Sequence, residues 1–313
     1  MRVPAARQRV TAVDENIRRQ VRNAVDAGEG DVRVRALRQR LAASPEDTQA
    51  RLQLAEHYTR SGFPDVALEH LRIAALRQPD SGEIAAALAR SLHRQGLNSE
   101  ARQNLEAFAA AHPNANGDLW SLLGILQDAT GDYASGERSH RAALKRTDTS
   151  SPFHNNLGYN LLLQNRKPEA AAEFRRAIDI DPSSLIARNN LGTALAEQPA
   201  EAVNQWQSVT DRASAHNNLA AVLIEKGDYE GARRELELAL RYRRDHPAAL
   251  NNLQLLAEAN GGSLSLQYGQ NDSSWRRFVR TLGVVFLGPD TESKPAAASG
   301  INGLPASPGA GSQ

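Results

Sequence analysis

Residues 48–81 read TQARLQLAEHYTRSGFPDVALEHLRIAALRQPDS. Leu54, Ala55 and Tyr58 share one face of a first helix, and Ser61-Gly62 then breaks it, since glycine supplies the backbone freedom of a tight turn. Ala67, Leu71 and Ala74 form the i, i+4, i+7 stripe of a second helix. Pro79 closes the unit because it cannot continue a helix. The pattern returns with Leu88, Ala89, Leu92, Gly96, Ala101, Leu105, Phe108 and Pro113. Working outward, Leu54, Leu88, Leu123, Leu157, Leu191, Leu219 and Leu253 follow one another at intervals of 34, 35, 34, 34, 28 and 34 residues. Such a period predicts an all-α array of helical hairpins, each packed on its neighbours, so that the core grows in one dimension.

The chain resembles the tetratricopeptide repeat (TPR) family, whose pattern is Trp-x2-Leu-Gly-x2-Tyr, then Ala-x3-Phe, then Pro. Trp120, Leu123, Gly124, Gly131 and Ala143 match it, as do Leu157, Gly158, Ala170, Phe174, Ala177 and Pro182. Leu191 and Gly192 open a fifth unit, and Leu219, Ala220, Gly227, Ala232, Leu236 and Ala239 carry a sixth. The resemblance implies a right-handed α-α superhelix. The fifth unit is short, with Gln198-Pro199 in place of the usual turn, and Trp206 is expected to fill the resulting gap.

Around the array at 48–259, residues 1–13 read as an arm and 14–47 as a degenerate capping repeat carrying Ile17, Val21, Ala24, Gly28, Leu37 and Leu41. Residues 248–259 supply a first helix with no second. Residues 260–290 read as a linker and short C-terminal helix, with Trp275, Phe278, Val279, Leu282, Val285 and Phe286 on one stripe and Arg276, Arg277 and Arg280 off it. That helix has three readings: a cover for the open end of the array, a partner contact, or a contact of the Trp275–Phe286 face with a membrane surface. Residues 291–313 have the Pro/Gly/Ser/Ala composition of a disordered tail.

Composition narrows the function. A net charge of +1 argues against nucleic-acid binding driven by overall charge. The chain has no cysteine, which removes disulfides and thiolate chemistry. No signal peptide or apolar run long enough to span a membrane is visible, so the cytoplasm is the expected compartment; an upstream signal beyond this start would change that. The eight histidines are scattered, and no phosphate loop, nucleophile elbow or His-Glu-x-x-His occurs. His154 and His216 hold equivalent places two units apart, too distant to share a metal. No enzyme activity, cofactor, metal or small-molecule substrate is expected.

Asparagine pairs precede four of the leucines: Asn155-Asn156, Asn189-Asn190, Asn217-Asn218 and Asn251-Asn252. The resemblance implies that Asn156, Asn190, Asn218 and Asn252 face the concave groove, similar to the asparagine ladder of O-linked N-acetylglucosamine transferase. An amide can both donate to and accept from a peptide backbone. Asn155, Asn189 and Asn217 stand beside the ladder, and Tyr159 lies one turn away as an aromatic contact. Three helix spacings of about 8–10 Å give a groove of roughly 25–30 Å, enough for about eight extended residues. The competing reading is that the asparagines hydrogen-bond neighbouring helices. A charge-based clamp for acidic C-termini is not expected, because the lysines sit elsewhere.

The expected function is therefore a noncatalytic scaffold that binds a protein as an extended peptide. Two alternatives remain. One is an assembly component of a bacterial envelope or pilus machine, since Asn189 to Ala196 is similar to repeats in pilus-assembly TPR proteins. The other is an accessory subunit of an enzyme complex.

Overall fold

The computed structural model describes residues 31–260, so the expected arm, the linker with its amphipathic helix and the tail lie outside the described residues. The described residues form fourteen helices and no strand. By contact the chain divides into two units at His112–Pro113. The first contains α1 (Val32–Ala43), α2 (Thr48–Arg60), α3 (Pro64–Arg77), α4 (Gly82–Arg94) and α5 (Asn98–Ala111). The second contains α6 (Gly117–Ala129), α7 (Tyr133–Leu144), α8 (Ser151–Leu163), α9 (Lys167–Ile180), α10 (Leu185–Ala194), α11 (Pro199–Gln207), α12 (Arg212–Glu225), α13 (Tyr229–Tyr242) and α14 (Pro247–Asn260).

Each leucine of the register lies on the first helix of a hairpin. The six from Leu54 to Leu219 are at most 7% exposed, because the second helix of the same hairpin closes over them. Leu253 is half-exposed, since no second helix follows α14 among the described residues. Polar side chains start many of the helices. Asp47 accepts from the Ala50 N–H, Asn116 from Leu119, Asp211 from Ser214 and Asp228 from Gly231, satisfying donors that have no partner inside the helix. Hairpin turns are made by a left-handed residue at a recurring place, as at Gly62 (φ 81°). In the fourth repeat Asn165 (φ 61°) does this without glycine, as asparagine tolerates that region better than most residues.

The glycine after the register leucine lets the two helices of a hairpin approach closely. A Cβ on Gly158 would come within 2.6 Å of the Phe174 ring, and one on Gly192 within 2.7 Å of Trp206 Nε1. In the short fifth unit, Trp206 is fully buried and donates from Nε1 to the Asn189 carbonyl at 3.1 Å. The large indole thus fills the space beside a second helix of only nine residues. No described helix is long and apolar enough to cross a membrane.

Candidate functional site

The second unit has two layers with different burial. Its second helices are one-sided: α9 buries Ala170, Ala171, Glu173, Phe174 and Ala177 and exposes Arg175 and Arg176 to solvent. Of the first helices, α6, α8 and α12 are enclosed nearly all round. In α8 every residue except Pro152 is buried.

Four directions around α8 are fixed by its contacts. Toward α9, Gly158 meets Phe174, and His154 pairs with Glu173. Toward the preceding repeat, Asn156 Nδ2 donates to Ser121 Oγ (3.1 Å), and Asn160 Nδ2 donates to the Asp128 carboxylate and to the Tyr133 carbonyl. Toward the following repeat, Asn155 Oδ1 accepts from Asn190 Nδ2 at 2.9 Å. At 100° per residue, Pro152, Asn156, Tyr159 and Leu163 occupy the side opposite α9, with Asn156 at its edge toward the preceding repeat. This is the inner face of the unit.

The inner face has a repeating residue two positions after each register leucine. In the second unit these are Ile125, Tyr159, Thr193 and Ala221, with exposures of 3%, 6%, 0% and 8%, and Leu255, which is half-buried. In the first unit the same positions are Glu56, which is exposed, and Arg90, which is half-exposed. The row is charged in the first unit and uncharged in the second, where it is buried from Ile125 to Ala221.

A cleft of about 270 Å³ opens beside this row, between the N-terminal turns of α8 and α10. Pro152, Leu185 and Ile186 provide its apolar wall, Asn155 borders it, and Asp181 brings a carboxylate to its rim. Leu185 is 49% exposed.

Of the eight residues expected to contact a partner, seven are buried: Asn155, Asn156, Asn190, Asn217, Asn218, Asn252 and Tyr159. Asn189 is half-buried. The amides join first helix to first helix. Besides the bonds from Asn156 and Asn190, Asn252 Nδ2 donates to Asn217 Oδ1 at 3.0 Å. Thus the second asparagine of a pair reaches back to the preceding repeat, to the residue one place earlier in the register. At the short fifth unit this order is interrupted, and Asn218 Oδ1 is buried with no hydrogen-bond partner.

Two histidine–carboxylate pairs repeat at the same spacing. His154 Nδ1 lies 2.7 Å from Glu173 Oε2, and His216 Nδ1 lies 2.7 Å from Glu235 Oε2. The hydrogen bond to Glu173 raises the His154 pKa above its ordinary value, against the opposing effect of burial. A third pair, His140 Nε2 with Asp128 Oδ2 at 3.0 Å, is fully enclosed. Burial pushes the Asp128 carboxyl upward, while hydrogen bonds from His140 and Asn160 pull it back. This cluster ties α6, α7 and α8 together. The sequence had shown the histidines without their carboxylates, although the shared spacing of 19 residues was there to be found. Among the described residues, no group of three or more histidine, aspartate or glutamate side chains has metal-binding geometry.

Helical hairpins of one repeating register define an α-repeat protein. The tetratricopeptide repeat family model matches residues 52–116 and 121–184, and a second model of that repeat matches 213–246. The chain belongs to the tetratricopeptide repeat family. Among curated relatives, "Protein FlbA" of Caulobacter vibrioides is 29% identical over 194 residues, covering 59% of this chain and 32% of that protein. The "Peroxisomal targeting signal receptor" of Eremothecium gossypii is 30% identical over 165 residues, covering 51% of this chain and 28% of the receptor. The matched part is thus less than a third of either relative. Two solved structures share the fold. One is a tetratricopeptide repeat protein from Parabacteroides merdae (TM-score 0.55, 15% identity, 78% of this chain and 98% of that one). The other is from the Cut9-Hcn1 hetero-tetramer of the APC/C (TM-score 0.56, 16% identity, 74% and 47%).

Proposed function

We propose that the second unit binds an apolar segment of a protein partner along its inner face, as a noncatalytic scaffold. Tetratricopeptide repeat proteins generally mediate protein–protein interactions, and that much holds for this chain as a member of the family. The observation that carries the finer reading is the row Ile125, Tyr159, Thr193 and Ala221, whose counterparts in the first unit are charged or half-exposed. A stripe of that kind anchors apolar side chains, in the way an amphipathic segment lies in a groove. The cleft at Leu185 and Ile186 then takes one side chain of the partner, with Asp181 favouring a basic neighbour. A curated relative named as a receptor for a targeting signal supports recognition of a protein segment.

In this reading the asparagines have a positioning role. Asn156, Asn190 and Asn252 each engage the preceding first helix, which sets the spacing and rotation of the inner row. Tyr159 stays a contact residue and Asn155 borders the cleft. Specificity therefore rests on apolar anchors rather than on backbone capture by amides. The test places a photo-crosslinking residue at Leu185, on the cleft, and separately at Arg175, on the outer layer. Partner peptides attached at Leu185 and absent from Arg175 are expected, and Tyr159→Asp should abolish them. The same proteins at both positions, or capture indifferent to Tyr159→Asp, would refute the inner-face assignment.

A further inference from the structure

We infer that the sixth repeat carries a second docking surface, a basic patch of Arg212, Arg234, Arg241 and Arg244 around Tyr242 that takes an acidic segment of a protein partner. All four arginines are exposed, and among the described residues none of them makes an ion pair. Arg234, Leu238, Arg241 and Tyr242 stand at i, i+4, i+7 and i+8, which places them on one side of α13. Arg212 opens α12 and lies with its guanidinium carbon 5.7 Å from the centre of the Tyr242 ring. Tyr242 is 52% exposed and stacks on His216, with ring centres 5.5 Å apart and an interplanar angle of 16°. His216 Nδ1 is in turn held 2.7 Å from Glu235 Oε2. A line of contacts from Glu235 through His216 and Tyr242 thus orients Arg212. A guanidinium laid over a ring keeps its N–H edge for a carboxylate.

Arginines at a helix C-terminus complement the helix dipole, and that alone would account for Arg241 and Arg244 if every second helix carried them. The fourth repeat does not. It has its own pair, His154 with Glu173, yet Ser150, Ala172, Asp179, Ile180 and Pro182 stand where the sixth has Arg212, Arg234, Arg241, Tyr242 and Arg244. The last turn of α9 has no basic residue. The third repeat has Arg138 and Lys145 at two of these places, but Asn116 and Asp148 at two others. Arg212 is at the N-terminus of α12, where the dipole disfavours a cation. The repeat fold therefore does not require this set of charges.

Charge complementarity selects the occupant. Arg234 and Arg241 are about 10 Å apart along α13. Acidic side chains roughly two to four residues apart on an extended segment, at about 3.3 Å per residue, match that separation. Glu230 and Asp245 lie in the same stretch and also make no ion pair. A peptide can place uncharged residues opposite them, whereas a nucleic-acid strand brings a phosphate at every step. The chain's net charge of +1 points the same way.

The test measures binding to the full chain by fluorescence anisotropy, with a labelled peptide alternating glutamate and serine. Its C-terminus is amidated, so only side-chain carboxylates are offered. The glutamate peptide should bind, more weakly as salt is raised, and its glutamine counterpart should not. Arg212→Gln with Arg241→Gln should weaken binding by about tenfold, the size expected for two exposed charge pairs. Arg60→Gln with Arg175→Gln removes the same charge elsewhere and should leave binding within about twofold, as expected of screened distant charges. Tyr242→Phe, which keeps the ring, should bind as the wild type does, and Tyr242→Ala should bind less tightly. Circular dichroism and melting of each variant separate lost binding from lost folding. No binding of the glutamate peptide, equal binding of the glutamine peptide, or equal losses in the two double variants would overturn the inference. So would tighter binding of labelled oligothymidylate through Arg212 and Arg241. The assay does not use the cleft at Leu185, so it and the crosslinking there succeed or fail separately.

Discussion

Replacing Asn252 with alanine tests whether the amides build the array. Asn252 Nδ2 donates to Asn217 Oδ1 at 3.0 Å, and the residues are 2% and 0% exposed. Asn217 Nδ2 is already buried without a partner. Asn252→Ala would leave Asn217 with neither its donor nor its acceptor satisfied in this contact. A buried group stripped of its partner costs about 1–3 kcal/mol, while the net value of the bond itself is about 0.5–1.5 kcal/mol. The single substitution should therefore destabilise by about 1–3 kcal/mol, or about 3–9 °C in Tm at the scale of a domain this size. Removing both amides, Asn217→Ala with Asn252→Ala, should cost less than the sum of the two single changes. Repeat arrays unfold as coupled neighbours, so a global melt alone can hide an effect at one end. Hydrogen exchange of α12 and α14 should accompany circular dichroism in urea. If Asn252→Ala changes neither the melt nor exchange in those helices, and the double variant shows no coupling, the amides do not hold the first helices in register. Their role would then return to partner binding.

Two of the shifted histidines, His154 and His246, give opposite pH dependences. The pKa of His154 is raised by Glu173, so its stabilisation is complete below about 6.5, the unfolded value, and is lost as pH rises through the folded pKa. His154→Gln should therefore differ most from the wild type in mild acid, and an unvarying difference from pH 5 to 9 would contradict the pairing. His246 goes the other way: burial lowers its pKa, so its contribution is present above about 6.5 and is lost as pH falls through the folded value. Its Nδ1 accepts from the Ala249 N–H at 3.1 Å, a cap that protonation removes, so the protection of the α14 amides relative to their intrinsic exchange rates should fall on acidification, and His246→Asn should flatten that response. Equal acid sensitivity in the variant would show that the cap is not the cause. Gly192→Ala should destabilise by about 1–3 kcal/mol, because its Cβ would meet a fully buried Trp206 that is tied to the Asn189 carbonyl. A tolerated alanine would mean that the indole can retreat.

The helical hairpins were legible because their signal is local and repeated. Leucine, glycine and proline recur in phase, and each occurrence has a steric reason: Leu157 closes the hairpin, Gly158 admits Phe174, and the missing second helix leaves Leu253 half-exposed. Trp206 could be assigned to the gap in the short unit because little else there is large. The direction of an amide is a different kind of fact. Asn155 and Asn156 are adjacent, so they point about 100° apart on a helix, and only packing decides which meets the neighbour. In the fold, both are buried and both bond across repeats. The row two places after each register leucine was visible as a switch from Glu56 and Arg90 to Ile125, Tyr159, Thr193 and Ala221. Reading it required comparing the repeats with one another rather than each with the family pattern.

The amide row and the apolar row support one another physically. A buried amide costs free energy unless bonded, so Asn156, Asn190 and Asn252 can be retained inside only where a neighbouring repeat stands at hydrogen-bonding distance. That condition fixes each first helix against the one before it, in spacing and in rotation. Rotation decides which side chains form the inner face: a shift of one residue on α8 would replace Tyr159 by Asn160, whose amide belongs to Asp128 and the Tyr133 carbonyl. Purely apolar contacts would tolerate such slippage, since they lack direction. Polar contacts between first helices therefore hold an apolar surface in place. The interruption at the short fifth unit, where Asn218 Oδ1 has no partner, marks the point at which this register is least constrained. A groove that adjusts to its occupant would adjust there first.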